Sequence, residues 1–378
     1  MIKTGSDFSG VGAFDQALGR LGIEQDKKFA CDMDKYARQT YVLNYGEPAY
    51  YPENVYDRDI PSDSLDIYMT SPPCQSFSLA GKRKGEYSVN GVLFYNSHEF
   101  IVKNNPRYFI FENVKGLLSD DKGKTFQRWI DYLGGKSVNG NPVIFPHDEA
   151  TPYHVYYQVM NAKHYGVPQN RERIFIIGIR DDADNEFSFP KPFHLVKRLK
   201  DVLEIEVDEK CFLSENFINA IITHSDRHQK KGNGFEFKPT NGNKIASAIT
   251  TKAGKRTTDN YIGAIRGRNS TNPLSRVSGL PTEQMLEINE NGTSNALTTV
   301  QKDNVVVNNQ RIRRLTPTEC FRLMDFNESF IWNVSDSQAY KQAGNSIVVS
   351  CLVEIIKKFN LKKNGKTRQK KNVLNMFN

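Results

Sequence analysis

The chain has no apolar run approaching the ~20 residues a helix needs to cross a bilayer, and its first residues, MIKTGSDFSG, lack the apolar stretch of a secretory signal. No membrane partner is expected, and a reducing, cytoplasmic setting is. Cysteine is sparse: Cys31, Cys74, Cys211, Cys320 and Cys351 are scattered, with no CxxC pair and no cysteine–histidine cluster at metal-ligand spacing. That argues against a disulfide framework and a zinc site, so no metal is expected. Negative charge is also short. The 43 acidic residues face 51 basic ones, and the formal net charge of +8 suits a polyanionic partner such as nucleic acid.

What the sequence does have is short apolar runs alternating with helix-like stretches. Ile2 to Phe8, Lys28 to Asp32, Leu65 to Thr70, Arg107 to Glu112, Val155 to Asn161 and Ile174 to Ile179 predict strands. Between them FDQALGRLG, DKYARQTYVLNYG, the stretch around NSHEFIVKNN, and TFQRWIDYL carry apolar residues at helical spacing. Such alternation predicts an α/β domain with a doubly wound, mostly parallel sheet. From about residue 191 the pattern gives way to a region rich in Lys, Arg, Asn, Gly and Thr, read as a smaller, β-rich unit. In it ASAITTKAGKRTTDNYI and SNALTTVQKDNVVV share an Ala-apolar-Thr-Thr core, by chance or as a structural echo. The expected division is 1–190 completed by 336–362, a second unit at 191–335, and a basic, disordered tail at 363–378.

Several short stretches carry chemistry. In SDFSGVGAFDQAL a strand runs into Gly10-Val11-Gly12 and then a helix, which lets backbone N–H groups approach a ligand; a structural turn has the same pattern. Asp32 ends the next strand, about 20 residues on, where a ribose would find a carboxylate. Asp15 stands in place of the third glycine of the dinucleotide fingerprint, which favours a smaller adenosine derivative over a pyrophosphate cofactor. Asp59, in YDRDIPSD, faces the same ligand or caps a turn. In TSPPCQSFS, Cys74 follows two prolines that stiffen its turn and remove backbone donors. A displayed thiol of pKa ~8.5 needs a positive or dipolar neighbourhood to act as a nucleophile, the alternative being a buried structural cysteine. The following GKRKGEYSVNG is basic and glycine-bearing, as a closing lid would be. In YFIFENV, Glu112 and Asn113 end a buried strand at the ligand face, placing a carboxyl for proton donation or leaving a solvated strand-end glutamate. QNRERIFIIGIR puts Gln169, Arg171 and Arg173 on one strand face, an anion or carbonyl site or an exposed edge.

In order, a GxG turn, Pro-Pro-Cys-Gln, Glu-Asn-Val, Gln-x-Arg-x-Arg, RRLTPTECFRLMDF and QAGNSIVV, with a variable basic region before the last two, make a set that resembles the DNA cytosine-5 methyltransferases of restriction-modification systems. The resemblance covers nearly the whole chain outside the variable region and the tail. It implies a class I, Rossmann-like methyltransferase domain with a target-recognition domain, S-adenosylmethionine as cofactor and double-stranded DNA as partner. A bacterial or phage enzyme is implied, monomeric, nucleoid-associated in the cytoplasm, with a cognate restriction endonuclease in the same system. Cys74 would attack carbon 6 of a flipped cytosine while Glu112 contacts ring nitrogen 3, with Arg171 and Arg173 completing the catalytic set. Phe8, Gly10, Gly12, Asp32, Met33, Asp59 and Asn345 would hold the cofactor. Gln75, Asn113, Gln169 and Thr298 would serve the substrate, Thr298 being preferred to Thr250 because it lies nearer the downstream motif. There are departures: Arg58 stands where a glycine commonly precedes the aspartate matched to Asp59, and residues 136–152 look like an insertion. Two other readings compete. One is a tRNA cytosine-5 methyltransferase, whose relatives carry a much shorter recognition region; the other is a non-catalytic DNA-binding homologue, free to lose Cys74 or Glu112.

Overall fold

The computed structural model describes residues 1–72, 89–183, 187–212, 245–246, 261–269, 282–288, 291–292, 294–295, 305–308 and 311–361. Its centre is an eight-stranded sheet. In chain order the strands are β1 (Ile2–Asp7), β2 (Gln25–Cys31), β3 (Ile67–Thr70), β4 (Tyr108–Val114), β5 (Ser137–Val138), β6 (Asn141–Pro142), β7 (Tyr153–Asn161) and β9 (Glu172–Arg180), and β8 (Gln169–Asn170) lies outside this sheet. Their spatial order is β2-β1-β3-β4-β9-β7-β5-β6. The first four are parallel, whereas β9 runs antiparallel to both β4 and β7. Only the short β8 and a single helical turn separate β7 from β9, too little chain for the crossover that parallel pairing requires. Residues 136–152 include the small β5–β6 hairpin that extends the sheet edge beyond β7.

The apolar runs anticipated these strands because the central ones are buried on both faces. Alternate residues feed two cores. Ile67, Met69, Tyr108 and Ile110 pack with α1 (Ala13–Arg20) and the helix Val349–Ile356, while Tyr68, Phe109 and Phe111 pack with α3 (Val89–Asn104) and α4 (Lys124–Leu133). The remaining early helix, α2 (Lys35–Tyr45), is capped by Asp34, whose carboxylate accepts from the Tyr36 and Ala37 N–H groups at 3.0 and 3.3 Å. With β1 between β2 and β3, chain direction across the sheet reverses at β1, which opens a crevice at the carboxyl ends of these strands.

A second sheet is wholly antiparallel, in the order β12 (Thr282–Ile288), β11 (Tyr261–Asn269), β15 (Val305–Asn308), β16 (Arg311–Arg314). Two-residue strands β10 (Ile245–Ala246) and β13 (Asn291–Gly292) pair with each other, and β14 (Ser294–Asn295) pairs with β8, joining this region to the larger one. The ends of the two Ala-apolar-Thr-Thr stretches meet here, since Tyr261 and Ile262 pair with Val307 and Val306; their Thr-Thr cores, within 247–260 and 296–304, lie outside the described residues. After β16 comes α5 (Pro317–Leu323), opened by a Thr316/Glu319 capping box with proline at the first turn. The fully buried Glu319 also holds Arg313 by two hydrogen bonds of 2.7 and 2.8 Å, so the end of the second sheet is locked to this helix. Phe321, Phe326 and Phe330 then enter the same core as α1. The chain closes with α6 (Asp336–Asn345) and α7 (Val349–Ile356); residues 363–378 lie outside the described residues.

Candidate active site

The carboxyl ends of β1, β3 and β4 stand side by side. Asp7 is level with Thr70, and Thr70 with Phe111, so the Phe8–Gly12 loop, the start of the Pro-Pro-Cys segment and Glu112 issue from adjacent strands. The span from β1 to β4 is about 10 Å, two strand spacings.

Left-handed backbone shapes the first loop, with φ of 56° at Phe8, 54° at Gly10 and 86° at Gly12. At Gly12 a Cβ would fall 2.2 Å from the Tyr45 ring, so glycine is required there by packing as well as by φ. At Gly10 a Cβ would meet no described residue within 4 Å, so the loop is open there. The Gly10 N–H donates to Asp32 Oδ2 at 2.7 Å, and the Asp34 N–H donates to Asp32 Oδ1 at 2.8 Å. Burial pushes the Asp32 carboxyl above its ordinary value, against the two backbone donors that favour the anion. Met33 beside it is 81% exposed, an apolar side chain left in solvent. Asp59 is exposed, and its N–H donates to the Tyr50 hydroxyl at 2.7 Å.

On the opposite side of the crevice Glu112 is buried and held at both oxygens. The Ser71 hydroxyl donates to Oε2 at 2.7 Å, and Arg173 Nε lies 3.1 Å from Oε1. Antiparallel pairing sets this contact, because Arg173 sits opposite Val114, two residues beyond Glu112. Asn113 is 2% exposed, and its Nδ2 has no hydrogen-bond partner among the described residues. Cys74 and Gln75 lie outside the described residues, as do Thr250 and Thr298; the last described residue before Cys74 is Pro72. Of the five cysteines the other four are buried. Burial lifts their thiols out of the useful range: Cys31 to about 12, with Cys211, Cys320 and Cys351 also raised. No group of three or more His, Cys, Asp and Glu side chains suited to a metal occurs among the described residues.

The side-chain donors of Gln169 and Arg171 reach backbone carbonyls far along the chain. Gln169 Nε2 donates to the Leu323 carbonyl at 2.6 Å, and Arg171 Nη2 donates to the Gly344 and Ser346 carbonyls at 3.0 and 2.8 Å. Both residues are buried, and these donors brace the chain around Asn345 and the end of α5. Asn345 itself is exposed at the end of α6. That helix is tied to α2 by Gln342, which accepts from Thr40 Oγ1 at 3.0 Å and donates to the Tyr36 carbonyl at 2.8 Å. Sequence reading missed Ser71, Gln342, and a buried Asp7–Arg58 pair beneath the loop. Only the unusual Arg58 gave any signal.

A family model for C-5 cytosine-specific DNA methylase matches residues 2–360. The chain belongs to this family. Among the relatives of this methylase, the type II methyltransferase M.HpaII of Haemophilus parainfluenzae is 34% identical, the match covering 91% of this chain and 85% of the relative. The orphan methyltransferase M.SPRI of Bacillus phage SPR is 29% identical, with 94% and 97% covered. In fold, the methylase is similar to the Dnmt2 methyltransferase of S. pombe, with a TM-score of 0.60 at 18% identity over 94% of this chain and 96% of the other. A putative DNA modification methyltransferase from an E. coli prophage gives 0.57 at 20% identity, over 95% and 98%. The methylase is thus a DNA cytosine-5 methyltransferase with a class I fold, and no helix among its described residues is long and apolar enough to cross a membrane.

Proposed function

We propose that this methylase transfers a methyl group from S-adenosylmethionine to carbon 5 of a cytosine flipped out of a specific duplex sequence, through a covalent bond between Cys74 and carbon 6. The observation that carries the reading is Glu112, buried and fixed by Ser71 and Arg173 on the strand beside the one that leads to Cys74. In an intact ring carbon 5 is a poor nucleophile. Attack by the Cys74 thiolate forms a sulfur–carbon 6 bond and pushes an electron pair toward carbon 5, while Glu112, carrying a proton, donates it to ring nitrogen 3 and so neutralises the charge that develops there. Carbon 5 takes the methyl group; loss of its proton then expels the Cys74 sulfur and restores the aromatic ring. These atoms are shielded in a stacked duplex, hence the flipped base.

Bound S-adenosylmethionine supplies the electrophilic methyl group. The residues present fit it: the loop is open at Gly10, Asp32 offers an acceptor to ribose hydroxyls, and the exposed Met33 offers an apolar face for adenine. Phe8, Gly12, Asp59 and Asn345 complete the proposed cofactor set, and Asn113 braces the loop bearing Cys74. Gln169 and Arg171 act as supports rather than as substrate contacts. Because burial lifts the Asp32 carboxyl, acid neutralises it sooner than an ordinary aspartate of pKa ~3.9. Affinity for S-adenosylhomocysteine, read by titration calorimetry, is therefore expected to fall on acidification above that pH, and Asp32→Asn to bind weakly with that dependence lost. A pH-independent affinity in the parent contradicts the assignment.

Residues 1–190 with 336–362 form the proposed catalytic unit, and 191–335 the unit that selects the target through major-groove and phosphate contacts. A restriction-modification setting follows from the relatives. Bisulfite sequencing of DNA from cells expressing the chain is expected to show methylcytosine confined to one short sequence context. Scattered methylation would remove the specificity, and methyl transfer to tRNA but not to duplex DNA, assayed in parallel, would overturn the substrate.

A further inference from the structure

The pair Asp7–Arg58 lies directly beneath the loop just assigned to the cofactor. Arg58 Nε is 2.8 Å from Asp7 Oδ1, and the two side chains are 2% and 0% exposed. The second carboxylate oxygen of Asp7 accepts from the Tyr68 hydroxyl at 2.6 Å. The Arg58 guanidinium lies over the Phe100 ring of α3 at 4.6 Å, and Phe100 stacks on Tyr68 at 4.1 Å. The ion pair thus gathers β1, β3, α3 and the segment before Asp59. A buried ion pair is a poor route to stability, since apolar residues of equal volume would serve as well or better. Its place in the chain is what gives it meaning.

Asp7 precedes Phe8, which holds a φ of 56° that a bulky side chain seldom adopts. Such a conformation persists only where its surroundings over-determine it. Here the chain is fixed on both sides of Phe8: before it, Asp7 is anchored at both oxygens; after it, the Ser9 N–H donates to the Cys31 carbonyl at 2.9 Å. Arg58 in turn precedes Asp59, on the other segment assigned to the cofactor. The usual glycine at this place could form no such link.

We propose that Arg58 is a positioning residue for the cofactor: through its ion pair with Asp7 it sets the conformation of the Phe8–Gly12 loop and joins that loop to the Asp59 segment. The proposal rests on the cofactor reading above. Three variants test it: Arg58→Met, Asp7→Asn, and the double variant Asp7→Leu with Arg58→Met, which removes the buried charges together. Each is measured for thermal midpoint, Kd for S-adenosylhomocysteine, Kd for duplex DNA, and KM against kcat. The single variants are expected to lose thermal stability and to bind S-adenosylhomocysteine about tenfold or more weakly. The double variant is expected to recover thermal stability while its cofactor Kd and KM stay raised, with DNA affinity and kcat at saturating cofactor near those of the parent. Recovery of cofactor affinity together with stability would reduce the pair to a stability element and overturn the proposal, as would parental cofactor affinity in Arg58→Met. Should the single variants fail to fold, the double variant alone decides between these outcomes. A parent that binds no S-adenosylhomocysteine refutes the cofactor reading instead, a result distinct from either.

Discussion

Cys74→Ala is expected to lower methyl transfer by roughly 10⁴-fold or more, the scale on which enzymes lose rate when their nucleophile is removed, while cofactor and DNA affinities stay close to parental. The size of the loss follows from the chemistry of the ring. Without a sulfur on carbon 6 there is no electron pair to send to carbon 5, and neither Glu112 nor Arg173 can supply one. No other described thiol can take over, because Cys31, Cys211, Cys320 and Cys351 are buried and held in the protonated form. Incorporation of labelled methyl groups into duplex DNA measures the rate. DNA carrying 5-fluorocytosine at the target measures the bond itself, because fluorine cannot leave as the carbon 5 proton does and the enzyme stays attached. The parent should give an adduct stable to denaturation, and the variant none. An adduct in Cys74→Ala, or methylation at the parental rate, would exclude the covalent route.

How far the sequence discloses such a site depends on the distance between partners. The strands were readable because burial on both faces leaves continuous apolar runs such as IYMT and YFIFENV, too short for a buried helix. Asp32 and Glu112 were readable for a related reason: each stands where its run stops, and in a parallel sheet the stopping points share one edge. Gln169 and Arg171 show the limit. Alternation puts them on one face with Arg173, yet their donors reach Leu323, Gly344 and Ser346, residues 154 to 175 positions away in the chain. Local periodicity carries no trace of such contacts. Arg58 is intermediate, since its departure from the family pattern marked the position while its partner Asp7, 51 residues earlier, came only from the fold. The antiparallel turn of β9 against β4 was hidden for the same reason as the Glu112–Arg173 contact it creates.

That contact makes Glu112→Gln the most informative conservative change. Glutamine has nearly the volume of glutamate and can still accept from the Ser71 hydroxyl, so the buried pocket stays filled. It cannot exchange a proton with ring nitrogen 3, and its neutral amide leaves the Arg173 guanidinium without the charge that now lies 3.1 Å away. Attack by Cys74 then builds negative charge on the pyrimidine with no proton donor of the right acidity at ring nitrogen 3. A positioned acid–base group or charge stabiliser is worth about 10²- to 10³-fold in rate, and kcat is expected to fall by that factor. The effect should be smaller than that of Cys74→Ala because the thiol can still add, slowly. The order of the steps allows a sharper check. If Glu112 assists addition of the sulfur, the variant must form the 5-fluorocytosine adduct more slowly by the same factor, with its cofactor Kd unchanged. If it assisted only a later step, adduct formation would keep the parental rate while turnover fell. A rapid-quench time course on the two proteins separates these cases, and a parental rate in both measurements would remove Glu112 from the catalytic set.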